Sequence, residues 1–459
     1  MHELRLRRSG RNMMDESQIG PDPSHAGARR WPWLSVGYVT LLLLWGLVSR
    51  LPYVTDFESM GKDGPEYINS LALDETYNVP PPGNIGFVLL AKVAQVFWST
   101  PVYAYAAVTI ALTCLGLVFL YLLGTRFMPR PLAAVAAVAF SCDTIVWFHG
   151  TPIKSYLVWM VALPAIAYFG TGFIRNNRTS NLVAASLALG LGSIVRNDVL
   201  MFGGPLWAGC LLLGRARLRD WLLGAAILAV CISVWFFSTA SLLGGPWAYL
   251  QIVRAKHDFH EQLGIAGRGL IDGLLRNLVK YGIKLIWSAH LALVPFAYCL
   301  WRYARSLRRH WRALTLVALW MLPSWYFAFI ISTFASAQIF QFTPLVYLGA
   351  VRGLQLWARR GNKILPVAGG LLIALVCALQ FTLTPLLPNS NQRNVIINVT
   401  FIKYTGAGIR NDYNYNLVDF GMSSSLKSVV KQLRRPEPVP EIPPRRLQGK
   451  NEPLRRSVE

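Results

Sequence analysis

Asp56, Glu58, Asp63, Glu66, Asp74 and Glu75 crowd one stretch, residues 50–83, of a chain otherwise poor in acid. The whole protein has 22 Asp+Glu against 45 Lys+Arg, so the clustering stands out. Two carboxylates spaced like Asp56 and Asp63 on a partly helical loop can converge, or one can act while the other supports it. Near a low-dielectric boundary a carboxyl group tends to keep its proton, which suits a general base poised near neutral pH. A solvated acidic loop explains the same residues equally well, and the residues alone leave the two readings level.

The elements that must position such a loop are set by composition. Of 459 residues 54% are hydrophobic and 15% charged, with mean hydropathy +0.38. Soluble domains average about a quarter charged, so this chain is built for lipid. Its apolar runs reach the roughly 20 residues needed to cross a bilayer. Backbone groups in lipid must be satisfied within the segment, which selects helices. The expected fold class is all-α, a polytopic transmembrane helix bundle with a helical first external loop. A net charge of +23 in a soluble protein would suggest nucleic acid. Here the cations sit in short loops and tails without interleaved aromatics, so no nucleic-acid partner is expected. They read as topology determinants that also attract anionic membrane lipids. The six cysteines lie in apolar segments without paired spacing and read as buried small hydrophobes.

Taken in order, residues 1–30 form a basic, disordered cytoplasmic tail, and 31–388 form the membrane domain. The first apolar run, 31–51, follows a positive flank, which places the amino terminus in the cytoplasm and loop 51–101 outside. Residues 84–98 are short and interrupted by Lys92; whether they span fixes the parity of everything after them. If they do not, then Arg126/Arg130, Arg175/Arg178, Arg215/Arg217/Arg219, the cluster from Arg302 to Arg312, and Arg359/Arg360/Lys363 all fall inside. That assignment gives about eleven spans. Residues 244–282 are then external and enter the next span through a segment expected to lie along the interface, with Arg276, Lys280 and Lys284 between apolar positions. Residues 389–433 form a small external segment, and 434–459 a basic, proline-rich disordered tail.

Several features carry less. His149, His257 and His260, with Asp258 and Glu261, lack HExxH or HxxxH spacing and specify no metal. Trp147, Trp247, Trp320 and Trp325 read as packing or interface residues. Asn398-Val-Thr400 matches a glycosylation sequon that occurs readily by chance.

The order "carboxylate, Tyr, Ala-Leu, then Pro-Pro-Gly opening an apolar helix" resembles the first external loop of the GT-C glycosyltransferases, including those that use dolichyl-phosphate-mannose on proteins. It stands here as Asp63-Gly-Pro-Glu-Tyr67, Leu71-Ala-Leu73 and Pro80-Pro-Pro-Gly83. Asp56-Phe-Glu-Ser59 resembles a DFDS-like element of part of that superfamily. The family usually has His before Pro-Pro-Gly; this chain has Pro80, which removes any imidazole role there. Val146-Trp-Phe-His-Gly150 with Tyr156, Gly190-Leu-Gly192 before Arg196, and Gly244-Gly245 before Tyr249 agree loosely.

The resemblance implies transfer of a sugar from a polyprenyl-phosphate donor to a lipid, glycan or protein acceptor on the external face, with inversion. The catalytic role falls on Asp63 or Asp56, with Asp63 holding the motif spacing and Glu66 supporting. The leaving group is anionic, so cations on the same side should face it. Lys154, Arg196, Arg254 and Lys256 satisfy that requirement. Asp198 is an available partner for Arg196, which would make that arginine structural. Some relatives bind a divalent ion on loop carboxylates, so the resemblance leaves a metal open while the residue spacings name none. The competing reading is a transporter or flippase for a lipid-linked saccharide. Against it, the chain has no internal repeat, and its acids sit in a loop instead of mid-span.

Overall fold

Proline and local chemistry set many of the helix ends. The computed structural model describes residues 32–51, 67–68, 70–71, 84–150, 153–263, 269–331, 336–358, 362 and 364–383. Among them every regular element is helical. Helix α1 is Pro32–Val48, α2 is Ile85–Gln95 and α3 is Pro101–Gly124. Next come α4 (Arg130–Cys142), α5 (Thr144–His149), a single 3-10 turn at Ser155–Leu157, and α6 (Val158–Asn176). Helices α7 (Thr179–Val195), α8 (Val199–Leu213), α9 (Leu218–Leu242) and α10 (Pro246–Leu263) follow. The chain then forms α11 (Leu270–Ala304), α12 (Leu307–Tyr326), a π turn (Phe327–Ile331), a 3-10 turn (Ser336–Gln341), α13 (Thr343–Trp357) and α14 (Ile364–Leu383). Prolines sit in the first turn of α3, α4 and α13, where the missing N–H has no helical partner to lose. Asn177, in the left-handed region at φ 48°, ends α6.

Among the described residues six helical segments are long and apolar enough to cross a membrane: Pro101–Gly124, Ser155–Asn176, Leu218–Leu242, Lys284–Ala304, Leu307–Ile331 and Ile364–Phe381. Helix α9 turns Leu222, Val230, Val234 and Phe237 outward. Water would penalise such a continuous apolar face, and lipid welcomes it. The protein is a multi-pass integral membrane protein.

Shorter apolar helices complete the bundle. Helix α2 has 11 residues, about 16 Å at the helical rise, against a hydrocarbon core of about 30 Å. It is too short to cross alone. Its face of Ile85, Gly86, Phe87, Val88 and Ala91 is buried, and it packs on α3 and α7. A Cβ on Gly86 would stand 2.6 Å from the carbonyl oxygen of Ile194, so only glycine permits this approach.

Residues 270–304 comprise two helical stretches that meet at a kink at His290 (φ 9°, ψ −92°), and the apolar span within them is Lys284–Ala304. The backbone accounting explains the kink. The Leu291 N–H donates to His290 Nδ1 at 2.7 Å instead of to the carbonyl one turn back. That carbonyl, of Trp287, accepts from Gln380 Nε2 at 3.0 Å on α14. Pro295, lacking its own N–H, loosens the next turn. Lys284 is only 1% exposed, while the side chains of Arg276 and Lys280 lie outside the described residues.

One apolar core runs through the bundle, with Tyr105, Tyr121, Phe140, Trp159, Phe202, Trp320 and Tyr347 fully buried or nearly so. All six cysteines are free and buried, as the sequence suggested.

A buried cationic site at one end of the bundle

The chain breaks helix at Cys142 because Asp143 adopts an extended conformation (φ −50°, ψ 129°) and caps the next helix. Asp143 Oδ1 accepts from the N–H groups of Ile145 and Val146 at 2.9 and 3.1 Å, the usual work of an N-cap aspartate. Oδ2 accepts from Ser288 Oγ on α11 and from the Tyr347 hydroxyl on α13 at 2.9 Å. Two residues before the break, Ser141 ties down Arg50 at the end of α1: its Oγ and carbonyl accept from the guanidinium at 2.8 and 2.6 Å. Arg50 also lies over the Trp147 ring, 5.4 Å from its centroid. Trp147 in turn donates to the Ser49 carbonyl at 2.9 Å and stacks on Phe381 at 4.8 Å. Trp147 is thus packing, in agreement with its sequence reading.

Short helix α5 carries His149 to the same end. His149 is buried, edge-on to Phe340 with ring centroids 5.4 Å apart. Lys154 and Lys284 both lie near enough for their charges to act on His149. Lys154 is 7% exposed and Lys284 1%. Taking an ammonium group out of water costs several kcal/mol without compensation. Both lysines therefore have interacting neighbours, and they lie near one imidazole.

Next to it stands Arg196, in the turn between α7 and α8. Its Nε donates to both Asp198 oxygens at 3.0 and 2.9 Å, a second nitrogen reaches Asp198 at 2.8 Å, and Nη1 donates to Ser155 Oγ at 2.9 Å. The guanidinium lies 4.0 Å from the Tyr156 ring centroid and 4.8 Å from that of Trp159. Trp159 Nε1 donates to Asp198 at 2.9 Å, which completes the cage. Burial disfavours the arginine's charge, yet the adjoining Asp198 carboxylate holds its pKa above the ordinary value, so Arg196 is cationic at every working pH. Asp198 is thus the partner that the sequence offered, and the phosphate-facing capacity of Arg196 is shared with it.

Tyr67 links the first loop to this cage. It is 3% exposed, accepts from Asn84 Nδ2 at 2.6 Å, and packs against Phe87 and Tyr105 at 5.3 and 5.6 Å. Tyr67 and Tyr156 both act electrostatically on Arg196. The loop tyrosine, Tyr156 and Arg196, which come from separate stretches of sequence, thus lie in one neighbourhood.

The other expected residues fare differently. Arg254 lies exposed on α10, and the backbone of Lys256 belongs to the same helix while its side chain is outside the described residues. Asp56, Asp63 and Glu66 lie outside them too, as do Pro80-Pro-Pro-Gly83, Asn398, both tails and the side chains of His257, Asp258, His260 and Glu261. Among the described residues no three His, Cys, Asp or Glu side chains are grouped to hold a metal ion. Lys284, Asp143 and Arg50 are the participants that sequence reasoning missed. A lone charge inside an apolar run was the available signal, since such residues normally face a bundle interior. Asp143 is the sole acid of residues 131–149.

No protein-family model matches the sequence, and no curated protein matches it. Solved structures share its fold. The apo oligosaccharyltransferase of Archaeoglobus fulgidus aligns with 93% of this chain at 14% identity and TM-score 0.51. ArnT from Cupriavidus metallidurans bound to undecaprenyl phosphate aligns with 75% of this chain and 70% of its own at 13% identity and TM-score 0.51. Apo ArnT gives 80% and 69% at 14% identity and the same score. The chain spans 62% of the length of the oligosaccharyltransferase. What these matches share with it is an all-α, polytopic bundle, and the likeness is one of fold.

Proposed function

We propose that this protein is a membrane glycosyltransferase that moves a sugar from a polyprenyl-phosphate donor to an acceptor. The observation that carries the reading is the convergence of buried Lys154 and Lys284 on His149, beside the Arg196–Asp198 pair. It occurs in a fold whose neighbour ArnT was solved with undecaprenyl phosphate.

In this reading Asp63, or Asp56 in its place, takes the proton from the acceptor's nucleophilic atom, and Glu66 supports it. The nucleophile attacks the anomeric carbon from the face opposite the phosphate, so the configuration inverts. One bond forms to the acceptor, the bond from the anomeric carbon to the phosphate oxygen breaks, and the electron pair leaves with the lipid phosphate. Lys154 and Lys284 stabilise that growing negative charge in a low-dielectric site, where fixed cations act most strongly. Arg196 adds a donor already oriented by Asp198 and Ser155, and Arg254 and Lys256 on α10 guide the phosphate from outside. About eleven spans place this end on the external face, with the amino terminus in the cytoplasm.

The test is sugar transfer from a polyprenyl-phosphate donor by the purified full chain in liposomes, with Asp63→Asn and Asp56→Asn at matched expression. Loss in one or both supports the loop base, and full activity in both refutes it. Lipid translocation without a glycosidic product would favour a flippase. A single cysteine near Asn398 should react with an impermeant thiol reagent from outside; labelling only after permeabilisation would overturn the topology.

A further inference from the structure

Asp143 is a fully buried carboxylate that the proposed transfer does not use. An ionised carboxylate has room for about four hydrogen bonds, and here each place is taken: Ile145 and Val146 N–H on Oδ1, Ser288 and Tyr347 hydroxyls on Oδ2. These donors come from α5, α11 and α13, so one anion joins three helices. Its neighbours lie in a definite register. Ser288 follows Lys284 by one helical turn, placing both on one face of α11. Asp143 and His149 bracket α5. Asp143 meets Ser288 while His149 feels the charge of Lys284. Helices α5 and α11 therefore lie alongside each other, and the aspartate–serine contact fixes how far one slides along the other.

We infer that Asp143 is a positioning residue: by joining α5 to Ser288 and Tyr347 it sets where His149 stands relative to Lys284, and so the spacing of the cations that would receive a lipid phosphate. The inference rests on the proposed transferase reading for its substrate. Its structural part makes separate demands. Asp143→Asn keeps a good cap for α5 but replaces the acceptor that faces Ser288 and Tyr347 with a donor. Tyr347→Phe and Ser288→Ala each remove a single hydroxyl from the same contact and leave the cap untouched.

The experiment compares wild type, Asp143→Asn, Ser288→Ala and Tyr347→Phe as full chains in detergent with matched thermal stability. Two quantities are read: binding of undecaprenyl phosphate, with no sugar attached, and the KM values for donor and acceptor where transfer occurs. Misplacing groups by about an ångström costs up to about a hundredfold, so binding should weaken by roughly tenfold to a hundredfold in Asp143→Asn and by less in the single-hydroxyl variants. Donor KM should rise in step while acceptor KM stays put, a split that general loosening would not produce. If wild type binds the lipid phosphate but transfers no sugar, and the variants bind less, the transferase reading fails and the positioning role stands. Equal binding in all four proteins, or no binding by wild type, overturns the positioning role.

Discussion

At one end of the bundle Arg50, Lys154 and Lys284 are buried beside His149, and Arg196 is locked to Asp198. At the other end Arg215, Arg217, Arg219, Arg302, Arg305, Arg308 and Arg309 are exposed. The residue types are the same and the physical situations are opposite. An exposed arginine keeps its hydration and is screened by salt, so setting helix orientation asks little of the fold. A buried cation must be held by neighbours, and the neighbours here are specific: Ser141 and Trp147 for Arg50, Asp198, Ser155 and Tyr156 for Arg196. The Arg196 pair is largely out of water, with side chains 17% and 26% exposed.

The difference can be broken or sharpened in order of expected effect. Asp63→Asn removes the proposed base and should lower transfer by about 10²–10⁴-fold, read as kcat with donor saturating. Lys154→Gln and Lys284→Gln remove charge from the buried end and should each lower kcat/KM by about 10²–10³-fold. Asp198→Asn leaves Arg196 without its anion and should cost about 1.5–3 kcal/mol, visible as a fall in Tm; adding Arg196→Gln to it should cost less than the sum of the two. Gly86→Ala touches no charge, yet its Cβ would meet the Ile194 carbonyl. It should displace α2, with the Asn84–Tyr67 contact, for about 1–3 kcal/mol of stability. At the opposite end Arg215→Gln, Arg217→Gln and Arg219→Gln together should shift stability by no more than about 0.5 kcal/mol per site while transfer continues.

The membrane bundle was legible from composition and run length, because lipid permits so few solutions. The stretch around Tyr67 and the turn at Arg196 were legible as resembling segments, and the Arg196–Asp198 pairing could be read from their spacing. Lys284 was not, because an amphipathic stretch looks the same whether its polar face meets headgroups or the bundle interior. Only the packing of α11 on α13 decides between them. Asp143 escaped for a related reason. Its partners Ser288 and Tyr347 are far away in sequence, and an aspartate in an apolar run shows where a constraint lies without showing what it joins.

The central claim is that the buried end, and not the exposed one, does the chemistry. The most direct measurement is transfer of labelled sugar from a polyprenyl-phosphate donor in proteoliposomes, comparing wild type with Lys154→Gln/Lys284→Gln and with Arg215→Gln/Arg217→Gln/Arg219→Gln. The account predicts transfer by wild type and by the exposed-end variant, and its loss in the buried-lysine variant. Transfer undiminished by loss of both lysines, or diminished equally in the two variants, would contradict it.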